Sequence, residues 1–495
     1  MIHLPVALVV IPLLGAAVCV LFRRSFIAWT VALAAAWSGF AISILIAVYI
    51  MKIGTLSYSI GGWPPPWGIA YHIDYLNSFV LLIVSGIAAV VMPYARTSVN
   101  YEIEEDSQAY FYCLLLICLA GLLGITVTGD AFNMYVFLEL SSLSSYALIG
   151  MGKRRRALTA AYQYLVMGTI GATFLLIGIG LLYNLTGTLN IHDLAHQLAV
   201  NNIVGSHNRT LLTAFAFIIV GLSLKLALFP LHLWLPNAYT YAPSVATIFL
   251  ASTATKVAVY MLLRFCFTIL SGGFIFKLTL GKILLIPALA AILIASMVAI
   301  FQYDIKRMLA YSSVAQIGYM ILGISLATPL GLSAGILHLF NHALMKGLLF
   351  MVMGAVNYRI GAVYLNDFRG LGRTMPWTMA AFVVGGMSLM GIPLTAGFIS
   401  KWYLVQAALE KGWWPVAALI LIGSLLAVIY IWRVVETAYF NPAQEMEAES
   451  SGEAPLSLLL PMWLLVLANI YFGIDSSIPV ELAGRAATLL LGGAS

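Results

Sequence analysis

The sequence predicts an all-α polytopic membrane protein, and three observations carry that prediction. Of 495 residues, 62% are hydrophobic and only 8% are Asp, Glu, Lys or Arg, against about 25% charged in a soluble domain. The apolar residues fall in runs of roughly 20, the length that crosses a ~30 Å hydrocarbon core as a helix. Short polar loops join the runs and leave no stretch for a water-soluble domain. Backbone groups in lipid must be satisfied within the segment, and these runs exceed barrel strands, so the runs are helices.

About fourteen spans follow: 4–21, 27–50, 73–95, 108–128, 131–151, 157–184, 211–237, 243–270, 279–300, 309–328, 331–357, 377–408, 413–437 and 456–474. The first opens on MIHLPVALVV with no Lys or Arg ahead of the apolar run. It lacks the basic start of a signal peptide and is expected to stay as the first helix. The longest polar stretches are 51–72, 185–210, 358–376 and 438–455. Placing the N-terminus outside puts thirteen Lys and Arg in inner loops and six in outer segments, Lys277 among the six. The excess predicts both termini outside. Lys153, Arg154, Arg155 and Arg156 then form a topology anchor, and the net charge of +6 signals no nucleic-acid partner. The four cysteines sit in or beside apolar runs with no CxxC, which points to packing.

Two spans are interrupted. The seventh contains Pro230 and Pro236, the twelfth Gly391, Pro393 and Gly397. Proline removes a backbone donor, and lipid tolerates that only where neighbours or water satisfy the freed carbonyl. Each break lies near a lysine, Lys225 and Lys401. Paired broken helices point to an ion path. The expected organisation is helices 1–3 in 1–107, one five-helix repeat in 108–270 (helices 4–8), a second in 271–437 (helices 9–13), and a last helix in 438–495. An odd helix count inverts the second repeat relative to the first.

Ionisable residues inside apolar helices carry the functional signal, since each costs roughly 2.5–3.5 kcal/mol to insert. Glu139 lies about two turns into the fifth span, too deep for a cap. Lys225, Lys256, Lys346 and Lys401 are buried ammonium groups that can release a proton, whereas the guanidinium of Arg264 cannot; Arg264 is expected to anchor a helix end. A carboxylate and a lysine that pair and separate form a proton switch, because desolvation and pairing move their affinities in opposite directions. His338, His342 and Lys346 follow i, i+4, i+8, a stripe roughly 12 Å long on one helix face. Imidazole titrates nearest neutral pH and passes protons between its nitrogens. No carboxylate or cysteine stands near that stripe, so no metal site is expected. His232, Tyr239 and Asp74 are candidate extensions of the path. Ser141, Ser142, Ser144 and Ser145 are expected to serve helix contact. GLGR at 370–373 is neither a P-loop nor a dinucleotide fingerprint, so no cofactor and no catalytic centre are expected. The acidic cluster Glu102, Glu104, Glu105 and Asp106 has no assigned role.

The segments GDAFNMYVFLEL, LSLKLALFPLHLWLPNAY, STATKVAVY, HLFNHALMKGLLF and GFISKW, in this order, resemble the antiporter-like subunits of respiratory complex I and of Mrp cation/proton antiporters. The resemblance implies two inverted five-helix repeats, each with a broken helix. It implies that Glu139 pairs with Lys225, Lys256 bridges to the middle, His338, His342 and Lys346 extend the chain, and Lys401 ends it. Lys401 stands where the M-type subunit of complex I usually has glutamate, and the chain has no long extension of the L or A type. GGWPPPWGIAYHIDYLN and GDAFNMYVFLE look most like the D-type subunit of Mrp antiporters; the N-type subunit of complex I and subunits of membrane-bound hydrogenases are the alternatives. What is implied is a proton-translocating subunit of a multisubunit Na⁺(K⁺)/H⁺ antiporter in a prokaryotic plasma membrane. Its expected partners are hydrophobic subunits of the Mrp A, B, C, E, F and G types, together with membrane lipid, protons and Na⁺. An independent solute carrier would need a ligand-shaped polar pocket rather than a line of titratable groups.

Overall fold

A computed structural model describes residues 3–201, 208–269, 281–361, 363–442 and 452–492. Lys277 and the start of the expected 279–300 span lie outside them. Among the described residues, the secondary structure is helical apart from one antiparallel hairpin. In order run α1 (Leu4–Phe22), α2 (Ser25–Ile53), β1 (Leu56–Ser59), β2 (Ala70–Ile73), α3 (Tyr75–Glu102), α4 (Glu105–Val127), α5 (Ala131–Gly150) and α6 (Arg156–Thr186). There follow α7 (Ile191–Val200), α8 (Arg209–Lys225), α9 (Trp234–Tyr241), α10 (Ser244–Leu263), α11 (Gly281–Ala290), α12 (Ser296–Ile300), α13 (Ile305–Leu326) and α14 (Pro329–Ile360). The last are α15 (Leu371–Thr374), α16 (Pro376–Met390), α17 (Ala396–Glu410), α18 (Trp414–Phe440), α19 (Leu456–Ile474) and α20 (Ser477–Leu490). A π-helical turn, Arg264–Ile269, prolongs α10, and another, Ala291–Ala295, joins α11 to α12.

Among the described residues, eleven helices are long and apolar enough to cross a membrane. The remaining expected crossings are α5, which carries Glu139, and the two broken pairs, α8 with α9 and α16 with α17. Their interruptions make the broken pairs too short to qualify as single apolar helices, and the polar face of α5 lowers its hydropathy.

The breaks fall where proline and glycine predicted. After α8 the chain turns through Ala227 at φ +58°, and Pro230 follows. After α16 it turns through Gly391 at φ +86° and Leu394 at φ +68°. A Cβ on Gly391 would lie 2.9 Å from Cδ of Lys401, so this position needs glycine both for its left-handed backbone and for the room the lysine takes.

Burial sorts the helices into two shells. The most apolar stretch of α13 is wholly buried, and those of α10 and α14 are 94% buried, against 39% for α1, α2, α6, α18 and α19. The inner helices thus meet protein, while the outer ones carry Leu21, Leu158, Trp414 and Leu425 on exposed faces. Small residues let helices of both shells approach: a Cβ on Gly323 would lie 2.7 Å from the Gly331 carbonyl oxygen, and one on Gly178 2.8 Å from that of Ala214.

Three elements lie outside the sequence expectation. The hairpin, with Leu56 opposite Ile73, occupies a stretch read only as polar. The loop 185–210 contains α7, capped by Asn190 accepting from the His192 and Asp193 amides. After α19, α20 buries Leu482, Ala483, Ala486, Ala487 and Leu490 and turns Glu481 and Arg485 outward as an ion pair at 2.7 Å. Fourteen residues are too few to span, so a search for crossings passes over it.

Candidate functional site

The buried charges gather into a polar axis within the bundle. At one end Lys225, the last residue of α8, donates to Glu139 on α5 at 3.0 Å and to the Ser142 hydroxyl at 2.8 Å. The Lys225 side chain is 2% exposed and that of Glu139 22%, so the carboxylate faces a less enclosed region than its partner. Ser142 lies one turn from Glu139 on α5, which explains why a lysine reaches both. Ser141, by contrast, packs against α4, where a Cβ on Gly121 would lie 2.7 Å from the Ser141 amide nitrogen. The serine face therefore serves both contact and charge.

Aromatic hydroxyls carry the axis onward. The Tyr146 hydroxyl lies 3.5 Å from the Lys225 ammonium. The Tyr146 ring meets Tyr164 at 4.6 Å, and Tyr164 stacks on Trp234 at 3.9 Å. Trp234 in turn donates to the Leu224 carbonyl at 2.9 Å, beside the Ala227 amide that also bonds it at 3.2 Å. Tyr239, buried on α9, donates to the Leu250 carbonyl at 3.3 Å and has Thr255 beside its hydroxyl. Thr255 is also 3.4 Å from the Lys256 ammonium, which bonds to the Ala251 carbonyl. Lys256 is completely buried.

From Lys256 the axis crosses to α14. Lys256 interacts electrostatically with His338, His342 and Lys346. The His338 and His342 rings lie nearly parallel, 6.3 Å apart. Lys346 donates to the Leu309 carbonyl at 2.8 Å and to the Ser312 hydroxyl. His338 holds the Ser400 hydroxyl on Nδ1 at 2.8 Å and the Gln316 side-chain oxygen on Nε2 at 2.9 Å. Neither ring nitrogen of His342 has a hydrogen-bond partner among the described residues. A buried polar group so placed costs roughly 1–3 kcal/mol.

The far end is Lys401 on α17. Its ammonium donates to the Leu389 carbonyl at 2.8 Å, the Met390 carbonyl at 3.2 Å and the Ser424 hydroxyl at 3.2 Å. The first two are the last carbonyls of α16, left free by the break and carrying the negative end of its dipole. Tyr319 bridges inward, with Lys401 4.8 Å from its ring centroid and His338 at 5.7 Å on the other side.

The other sequence candidates fall elsewhere. His232 lies beside Phe229 and Tyr311 and has no hydrogen-bond partner on Nδ1 among the described residues. Asp74 lies at the hairpin end of α3, 2% exposed, pairing with Arg264 at 2.6 Å. Arg264 stands at the C-terminal end of α10, enclosed by protein, and joins it to the N-cap residue of α3. Over this pair His72 and His192 meet edge to face at 4.3 Å. Burial pushes the His72 imidazole down to about 4, with His192 acting the same way, and burial lowers His192 too. Both are therefore neutral at neutral pH.

Sequence reasoning passed over Tyr146, Tyr164, Tyr319, Gln316, Ser400 and Asn341, uncharged residues with nothing anomalous in a helix. It also assigned Lys306 to a loop. Lys306 is 5% exposed and donates to Ser244 at 3.2 Å, while Glu102 accepts from the Ser244 amide at 2.8 Å. Among the described residues no group of three His, Cys, Asp or Glu is placed to hold a metal.

Residues 128–427 match the profile of the NADH:quinone oxidoreductase/Mrp antiporter transmembrane family. The chain belongs to this family. Within it, similarity runs to both kinds of complex. The chain is 41% identical to the N-type subunit of the NADH-quinone oxidoreductase of Desulforudis audaxviator, covering 95% of this chain and 96% of that protein. It is 31% identical to the D-type subunit of the Na(+)/H(+) antiporter of Alkalihalophilus pseudofirmus, covering 88% and 87%. Its fold matches a chain of the Mrp complex from Dietzia sp. with a TM-score of 0.89, at 27% identity over 99% and 97% of the chains. A chain of the archaeal membrane-bound sulfane sulfur reductase matches with a TM-score of 0.88, at 30% identity over 98% of each. The multi-pass membrane architecture is thus a family property.

Proposed function

We propose that this chain is the proton-translocating subunit of a multisubunit Na⁺/H⁺ antiporter and that the polar axis is its conduit. The observation that carries the reading is the Glu139–Lys225 pair, enclosed in the bundle and continued by hydroxyls, imidazoles and lysines to Lys401. Buried ion pairs are poor stabilisers, so their persistence in a lipid-embedded core favours a task over packing. Glu139 and Lys225 act as the switch of the first half. Lys256, His338, His342 and Lys346 form the middle, and Lys401 the outlet or inlet of the second half. Tyr239 extends the path; His232 and Asp74 are not needed for it. His342, with both nitrogens free, is where an exchanging proton and its water would be received. A membrane potential supplies about 2.3 kcal/mol per charge per 100 mV, enough to move a lysine's proton affinity by more than one pH unit.

The two halves, 108–270 and 271–437, are read as inverted repeats, each with one break and one lysine beside it. The excess of Lys and Arg in the loops read as inner supports both termini on the outer side of a prokaryotic plasma membrane. Sodium coupling rests with partner subunits, the hydrophobic subunits of such a complex. A second reading, a proton-pumping subunit of a quinone oxidoreductase, is favoured by the 41% identity to an N-type subunit of that enzyme. Copurification decides between them: small hydrophobic antiporter subunits, or flavin and iron–sulfur proteins.

Replacing Glu139 or Lys225 by Ala is expected to reduce driven ion transport in membrane vesicles to background while the complex assembles at normal abundance. Loss of assembly with each variant would mark the pair as structural.

A further inference from the structure

Arg264 is an enclosed charge that the polar axis leaves unused. Lys256, Tyr260, Arg264 and Thr268 are spaced four apart on α10 and its π-helical continuation, a stripe rising roughly 6 Å per step. Tyr260 follows Lys256 by one turn. Its hydroxyl accepts from the Asn77 side-chain amide at 2.9 Å and donates to the Thr126 carbonyl at 3.2 Å. Arg264 Nε donates to the same hydroxyl at 3.3 Å, and its other nitrogens reach Asp74, Asn77 and Thr268. Beyond Arg264, at the face bearing the hairpin, lies a cavity of about 450 Å³ lined by Thr55, His72, Asp74, His192 and Arg264. A second void of about 10 Å³, which shares His72, His192, Arg264 and Thr268 with that cavity, also touches Asn77 and Tyr260. That is the lower limit of space for one water.

A polar stripe therefore continues from the turn after Lys256 toward the hairpin face, while the Lys256 ammonium itself lies on Ala251 and Thr255. It would short-circuit the relay if every rung exchanged protons. The Arg264 rung does not: a guanidinium effectively never releases its proton, and a fixed cation across a narrow polar passage repels a migrating proton. Asp74 does not cancel that barrier outright. The oxygen that pairs with Arg264 also accepts from the Leu76 backbone amide at 2.8 Å and the Asn77 backbone amide at 3.2 Å, so part of its charge goes to the N-terminus of α3.

We propose that Arg264 is a proton barrier that keeps Lys256 insulated from the hairpin-face cavity and so sets the tightness of coupling. The proposal rests on Lys256 being part of the relay. The test uses the complex purified through a tag on this chain, in proteoliposomes holding a pH-sensitive dye, with a potassium diffusion potential and no transported sodium. Asp74→Asn with Arg264→Gln replaces the ion pair by a neutral hydrogen-bonding pair and strands no charge. Passive proton flux is expected to rise at least about tenfold over the unmodified complex, because the repelling cation is gone. Adding Lys256→Ala should return the flux to its original level. A double variant as tight as the unmodified complex overturns the proposal, as does a leak that persists without Lys256, which would mean loosened packing. If the double variant does not assemble, Asp74→Asn alone decides: the guanidinium remains, so the vesicles should stay tight, and a leak rejects the barrier. Lys256→Ala alone reads the relay separately, through driven transport in the presence of sodium.

Discussion

Lysine and arginine have different uses inside this bundle. Lys256, Lys346 and Lys401 each rest on hydroxyls or backbone carbonyls, partners that tolerate either protonation state of an amine, and Lys225 shares its ammonium between the Glu139 carboxylate and the Ser142 hydroxyl. Arg264 instead sits against a carboxylate at 2.6 Å, a partner that fixes its charge. The distinction gives a test. Lys401→Arg keeps the charge at the end of α16 and its carbonyl bonds, but removes a releasable proton; driven transport should fall more than about tenfold with assembly unchanged. Full transport in vesicles carrying that variant would make Lys401 a counter-charge to the helix end and nothing more. The ionisable members of the axis were legible in the sequence because a charge in an apolar run is anomalous. Their partners were not: a tyrosine such as Tyr319, or Gln316 and Ser400, gains meaning only from the lysine or histidine opposite it.

At the scale of elements, the two broken helices do the positioning. Each break ends a helix inside the bundle, where unsatisfied carbonyls are costly, and at each a side chain from the same broken span bonds to the carbonyls there. Trp234 takes Leu224, and Lys401 takes Leu389 and Met390. Pro230, Pro393 and the flanking glycines announced these breaks in the sequence. Gly391→Ala places a side chain at φ +86° and against Lys401. It is expected to cost about 1–3 kcal/mol, seen as a lower thermal midpoint in detergent, and to displace the ammonium enough to slow transport. An unchanged midpoint would mean the turn relaxes freely. The hairpin and α20 were not legible as elements. The strands are only four residues each, and the apolar stripe of α20 has meaning only once α14 and α3 stand beside it.

Over the whole molecule, the solvent differs between shells. Leu348 on α14 is fully buried by protein, whereas Leu425 on α18 is 64% exposed. Leu348→Ala should lose about 2–4 kcal/mol of stability through the cavity it leaves. Leu425→Ala should change little, because lipid tails replace its contacts. Comparing thermal unfolding of the two variants within the assembled complex checks this, and a large loss at Leu425 would identify α18 as a surface covered by a partner subunit.

Amino-acid order by itself determined the membrane-spanning helical class, the positions of the crossings and their breaks, and which side chains carry the anomalous charges. Those features are local: apolar run length, proline and glycine chemistry, and the cost of a charge in lipid act over a few residues at a time. Only the tertiary structure decided that Glu139 meets Lys225 across 86 positions, that Tyr319 stands between Lys401 and His338, and that Asp74 pairs with Arg264. Such pairings depend on which helix faces pack together, and in lipid that choice rests on the fit of small residues and polar contacts between helices, which hydropathy does not encode.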